Sequence, residues 1–154
     1  MYEIGRVSKA HGISKILDYG GNDGAQYLNH RFHERAGFPL PYVYDPVFNH
    51  FSKMPRKPFE MVMAIDVLEH IPEPIVDAVL GRICSLATHV VFLTIASDPS
   101  DTILANGQNA HCTLKPLDWW VERIKAAKQK HGHNMCKVYV DYGYDKTKQR
   151  VCFF

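Results

Sequence analysis

Long apolar runs are missing from this 154-residue chain. No window approaches the roughly 20 apolar residues a membrane helix requires, and the first residues hold no apolar stretch of signal-peptide length. The expectation is a soluble, cytoplasmic protein with no membrane partner. Cysteine is scarce as well: Cys84, Cys112, Cys136 and Cys152 are far apart and form no C-x-x-C pair, and two of them sit inside apolar runs. That pattern excludes a disulfide framework and reads as reduced thiols. Neither sign of charge dominates, with 18 Lys and Arg facing 16 Asp and Glu, and no basic stripe marks a specific nucleic-acid partner. Lys125, Lys128 and Lys130 read as a solvated helix face, and Lys146, Lys148 and Arg150 as a turn. There is no internal repeat and no low-complexity linker. With 46% hydrophobic side chains, residues 1–154 are read as one domain around one core. No metal is expected: His131, His133 and Cys136 in "HGHNMC" lack a four-ligand spacing and read as a solvated loop.

Strand and helix signals alternate along the chain. A polar opening with room for a short helix precedes a buried strand at Lys15 to Tyr19, and a helix is predicted from Ala25 to Arg35. "PYVYD", Pro41 to Asp45, is a second strand, ended by Pro46, which lacks the N–H that would continue a ladder. "FEMVMAI", Phe59 to Ile65, is apolar almost throughout, as in a strand covered on both faces. Pro72 and Pro74 suit the start of a helix carrying Ile75, Val79, Ile83 and Leu86 at helical spacing. "HVVFLTIA", His89 to Ala96, is a fourth strand. The polar stretch from Ser97 to Lys115 is too long for a tight connection and is a candidate functional loop. "LDWWVERIKAAKQ" is a helix with Asp118 placed as its cap or first-turn acid, and the chain closes on a hairpin within Cys136 to Phe154. The fold class is α/β: a Rossmann-like, doubly wound, mostly parallel sheet with an antiparallel C-terminal hairpin strand.

In such a sheet, ligands bind at the carboxyl ends of the strands. Gly20, Gly21 and Gly24 follow the first strand, where missing Cβ atoms permit positive φ and close approach, and the next helix is expected to offer free N–H groups. Asp45 ends the second strand, where a carboxylate can accept both hydroxyls of a ribose. "DVLEHI", Asp66 to Ile71, follows the third strand at the same edge.

These residues resemble the class I S-adenosylmethionine-dependent methyltransferases, in particular their small type 11/12-like domains. The family's D-x-G-x-G-x-G motif is matched by Asp18, Gly20, Asn22 and Gly24, with Asn22 in place of the central glycine; Asn tolerates left-handed backbone angles. Asp45 matches the acid ending the second strand. "FEMVMAIDVLEHIPEP" looks like the family's fourth strand and V-L-E-H segment, and "NGQNAHCTLKPLDWW" is similar to its later loop and helix. The resemblance implies S-adenosyl-L-methionine as cofactor, bound by Asp18, Gly20, Gly21, Asn22, Gly24, Asp45, Pro46 and Asp66, with Asp66 near the methionine amine. Between Asp45 and Phe59 the family fits a helix and a strand, but "PVFNHFSKMPRKP" has three prolines and can hardly supply both, so that edge strand is expected to be absent or vestigial. A sheet shortened in the middle is expected, with adenine contacts falling to Pro46, Val47 and Phe48.

Methyl transfer to a hydroxyl requires in-line alignment and removal of a proton, for which histidine is the natural base at neutral pH. His111, in the long loop, and His70 are the candidate catalytic residues. One of Trp119 and Trp120 is expected in the core, the other free to line the site. The acceptor is read as a small molecule, a sugar or other metabolite hydroxyl, covered by the 97–115 loop or completed by a second subunit in a homo-oligomer. Two alternatives remain: an S-adenosylmethionine-binding protein without transfer activity, and a nicotinamide-dinucleotide-binding domain, whose G-x-G-x-x-G spacing Gly20, Gly21 and Gly24 fit poorly.

Overall fold

In the computed structural model, residues 3–143 and 149–153 are described. The chain runs α1 (Glu3–Ala10), β1 (Ile16–Tyr19), α2 (Ala25–Leu28), α3 (Phe32–Ala36), β2 (Tyr42–Tyr44), β3 (Phe59–Ile65), α4 (Glu73–Leu86), β4 (Ala87–Ile95), α5 (Leu117–His131), β5 (Lys137–Tyr142) and β6 (Gln149–Phe153). The strands form one sheet in the order β2-β1-β3-β4-β5-β6. All pairings are parallel except β5 with β6. The expected α/β, mostly parallel sheet with an antiparallel closing strand is what forms.

Strand side chains alternate between two apolar clusters, one on each face. Leu17, Val62, Ala64, Val91, Leu93, Val138 and Val140 pack with Val76, Leu80, Trp120 and Ile124 of α4 and α5. Ile16, Met61, Met63, Val90 and Phe92 pack on the opposite face with Ile4, Val7, Tyr27 and Ala36 of α1 to α3. This double cover explains why β3 and β4 read as continuous apolar runs. At the antiparallel edge, Arg150 donates two hydrogen bonds to the buried Asp141, its register partner, at 2.5 and 2.7 Å. Lys146 and Lys148, read above as part of a turn, lie outside the described residues.

Two helix readings are corrected. The helix expected over 25–35 is two short helices, broken where Arg31 takes a left-handed φ of 48°. The break re-aims the chain so that Tyr27 and Phe38 share one cluster, with Phe32 packed against it. In α4 the buried face runs through Val76, Leu80, Ile83, Cys84 and Leu86, while Ile75 is half exposed. The helix is wedged between sheet and α5, so Val76, Leu80 and Cys84 form the row facing the core, and Ile75 lies off it. Asp118 is a first-turn acid and makes no capping bond.

Between Asp45 and Phe59 only one 3-10 turn forms, Asn49–Phe51, leaving β2 as the edge of the sheet. The shortened middle is as expected. The cysteines are free thiols. Cys84 and Cys136 are buried, and burial pushes their pKa values up to about 12 and about 11, which makes them inert. No helix among the described residues is long and apolar enough to cross a membrane.

Candidate active site

From β1 the chain moves to one side to form β2, then returns across β1 to form β3. The strand order therefore reverses between β1 and β3, the place where an open α/β sheet parts its loops into a crevice. A cleft of about 430 Å³ lies there, lined by the end of β1 with its loop (Asp18, Gly20, Gly21, Asn22), by Gln26, Tyr27 and Phe32, and by Ile65 and Asp66 at the end of β3.

The loop is built tightly. Gly20 has φ of 86°, and a Cβ there would lie 2.7 Å from Cγ2 of Val67. At Gly21 a Cβ would meet Asp18 Oδ2 at 2.6 Å and Val43 at 2.9 Å. Asn22 adopts the left-handed conformation expected of it, at φ of 57°. The expectation that the next helix offers free N–H groups holds only for Gln26: Ala25, Tyr27 and Leu28 are bonded, and the loop before them is engaged as well. Gly20 and Gly21 both donate to Tyr44 O, at 2.7 and 3.3 Å, and Gly24 donates to Gly21 O at 3.2 Å. Asn22 N–H donates to Asp45 Oδ2 at 3.0 Å, Asp23 to Asn22 Oδ1, and Ala25 to Asp23 Oδ1. Six successive donors are thus engaged inside the protein, and only Gln26 N–H in this turn is without a partner among the described residues.

Carboxylates replace them. Asp45 accepts from Asn22 through Oδ2 and from Val47 through Oδ1, at 2.9 Å, and each oxygen keeps capacity for a further donor. Asp66 is held at a left-handed φ of 52°. Its N–H donates to Thr94 Oγ1 at 2.8 Å while that hydroxyl donates back to Asp66 Oδ1 at 2.7 Å, leaving Oδ2 without a partner among the described residues. No lysine or arginine lines the cleft. The chemistry on offer suits hydroxyl donors and cations, not a pyrophosphate.

Asp18 lies beneath the loop, 2% exposed, where it accepts from the Tyr27 hydroxyl at 2.6 Å and, weakly, from Gln26 at 3.4 Å. Its carboxyl shapes the loop from below. Burial pushes its pKa from 3.8 up to about 6, and the charge of Asp45 adds to the rise. A carboxyl whose folded pKa is raised stabilises the fold below its unfolded pKa and loses that contribution as pH climbs through the folded value. Asp18→Asn is therefore expected to be more stable than wild type at pH 8 by on the order of 1–3 kcal/mol, with the difference vanishing below pH 4. Urea unfolding at the two pH values reads this directly.

Beside the cleft, the loop after β4 folds back over the turn after β3. Thr113 N–H donates to Glu69 O at 3.0 Å and its hydroxyl to Ile71 O at 2.7 Å. Asn109 pins the same loop, accepting from Ser100 and His111 N–H groups and donating to Ser100 O. These bonds bring His70 and His111, 41 residues apart, into an edge-to-face pair with ring centroids 4.7 Å apart.

Other expected residues stand apart. Asp45 is not among the residues lining the cleft and reaches it through its bond to Asn22 N–H; Gly24 lines a neighbouring pocket, and Pro46, Val47 and Phe48 are exposed past Asp45 and outside the lining as well. Trp120 is fully buried in the core, as one of the pair was expected to be. Trp119 lines a groove between α4 and α5, stacked under Arg123 at 4.1 Å, and not the cleft. Tyr27, Gln26, Phe32, Thr94, Thr113 and Glu69 were missed. Of these, only Glu69 had a signal, as an acid inside the apolar run Val67 to Ile71.

The family model for a methyltransferase domain matches residues 6–146. No curated protein and no solved structure gives a significant match. The match takes in the residues lining the cleft and the histidine pair, and with the sheet described above it places this chain in the methyltransferase-domain family.

Proposed function

We propose that the protein transfers a methyl group from S-adenosyl-L-methionine to the hydroxyl of a small molecule. The observation that carries this reading is the acidic cleft at the β1–β3 reversal, in which every loop N–H from Gly20 to Ala25 is already engaged. Such a cleft supports a ligand whose charge is positive and whose sugar presents hydroxyls. S-adenosylmethionine carries a sulfonium and an ammonium, and its ribose offers two donors to a carboxylate. The dinucleotide alternative needs several convergent free donors for its pyrophosphate, and the loop from Gly20 to Ala25 offers it none.

The residues fit in detail. Asp45 would take the ribose hydroxyls, the bare peptide at Gly20 and Gly21 would lie under the amino-acid part, and the free oxygen of Asp66 would hold the ammonium. When bound, the cofactor supplies an electrophilic methyl group on a good leaving centre. The protein's part is to align the acceptor, keep water out, and deal with its proton. His70, in the turn after β3, and His111, in the 97–115 loop paired with it, are the residues we assign to the acceptor hydroxyl.

Calorimetry with S-adenosylhomocysteine and with NAD separates the readings. We expect one-to-one binding of the first and none of the second; the reverse result would overturn the proposal. Transfer of a tritiated methyl group into a library of sugars and hydroxylated metabolites tests the reaction. Cofactor binding with no acceptor labelled would favour the binder without transfer activity.

A further inference from the structure

Glu69 is fully buried at the turn between β3 and α4. Its Oε1 accepts from Ala96 N–H at 3.0 Å and its own backbone N–H also acts on the carboxyl, while Oε2 is buried with no hydrogen-bond partner among the described residues. An orphaned carboxylate oxygen in a dry site is costly unless something positive meets it. The side chains acting on it electrostatically are Asp66, which makes the site more negative, and His111.

The two histidines are prepared in the same way. His70 Nδ1 lies 2.9 Å from Ala110 O and His111 Nδ1 lies 2.6 Å from Asp98 O. A carbonyl only accepts, so each Nδ1 carries the proton and each Nε2 is left with a free lone pair. A backbone carbonyl behind the distal nitrogen is how proteins fix the tautomer of a metal-binding imidazole. A general base would need only one such ring. Here there are two, edge to face, with a partnerless carboxylate beside them: one ligand atom from each of Glu69, His70 and His111 lies within 4.8 Å of the others. Bonds of about 2.0–2.2 Å to a shared ion bring ligand atoms to roughly 3 Å apart, a closure that side-chain rotation can supply.

We propose that Glu69, His70 and His111 form a site for a divalent first-row transition-metal ion, with open coordination positions facing the acceptor. Two imidazoles and one carboxylate suit such ions better than magnesium or calcium, which prefer all-oxygen sites. Three protein ligands also leave room for an exchangeable oxygen. The ion's task is to hold the acceptor hydroxyl and lower the pH at which its proton leaves to solvent. The methyl group then takes the place of that proton on oxygen, and the electron pair of the broken C–S bond remains on sulfur. This catalytic use rests on the methyl-transfer reading; ion binding itself does not.

The test uses full-length protein without an affinity tag, stripped with chelator and titrated with Co²⁺, Zn²⁺ and Mn²⁺. We expect one ion per chain, with visible Co²⁺ bands characteristic of nitrogen and oxygen ligands. Glu69→Gln and His111→Ala are each expected to weaken binding by at least about 30-fold, with S-adenosylhomocysteine affinity retained as proof that the variants are folded. Uptake of no ion at millimolar concentration, or of an ion whose affinity neither variant changes, would overturn the site. Ion binding without any affinity for S-adenosylhomocysteine would leave the site standing and remove the methyl-transfer reading. Cofactor binding without ion binding would do the opposite.

Discussion

Asp45→Ala is expected to lower affinity for S-adenosylhomocysteine by about 100-fold or more while leaving the fold intact. The carboxylate follows β2 with one oxygen on Asn22 N–H and the other on Val47 N–H, and each retains the capacity to accept from a further donor. A hydrogen bond to a charged group contributes about 1.5–3 kcal/mol, so losing both ribose hydroxyls removes about 3 kcal/mol or more. The cost to the free protein is smaller, because Asn22 and Val47 are exposed and water can take over their N–H groups. Calorimetry paired with a thermal melt separates the two effects. A variant that binds the cofactor as wild type does would remove Asp45 from the site.

The second large effect is at Gly20. An alanine there would have to keep φ at 86°, at about 1–2 kcal/mol for a residue with a Cβ. It would also push against Val67, whose Cγ2 and Cγ1 would be 2.7 and 2.8 Å from the new atom. Val67 is β-branched and follows the constrained Asp66, so it cannot rotate freely away, and overpacking of this kind costs about 1–3 kcal/mol. Gly20→Ala is therefore expected to destabilise the protein by about 2–5 kcal/mol and to abolish cofactor binding. Asn22→Gly, two residues along, is the contrast. It keeps the left-handed angle and the N–H that meets Asp45, and loses only the side-chain bond to Asp23 N–H. Its stability and affinity are expected to stay within about 1 kcal/mol of wild type. Equal effects at the two positions would show that the loop's conformation is not what the crevice depends on.

The parts of the fold that a sequence pattern can carry were legible, and those that depend on distant contacts were not. Phe59–Ile65 is a strand at its expected bounds because a run buried on both faces needs no partner to be recognised. The 46–58 segment lacks a strand because its prolines forbid one. The break at Arg31 had no such marker, since an arginine with positive φ follows from the packing of Tyr27 and Phe38 and not from its own preference. The buried face of α4 was misjudged because Ile75 and Val76 are both apolar and only the position of α5 decides between them.

At the site, the glycines were found for an incomplete reason. They were read as making room for a ligand, and they also let the loop close on Tyr44 O and Asp45. Glu69 had a signal that went unread, and the pairing of His70 with His111 was beyond reach. That pairing depends on Thr113 and Asn109 folding a long loop onto the turn after β3, through bonds that are mostly to backbone atoms and leave no residue pattern behind.

The account turns on what occupies the space between β1 and β3, and a crystal structure of the protein with S-adenosylhomocysteine measures that. The account predicts both ribose hydroxyls within hydrogen-bonding distance of Asp45, the amino-acid portion against Gly20 and Gly21, and the sulfur directed toward the His70–His111 side. Density for the ligand elsewhere, or a ribose with no contact to Asp45, would contradict it.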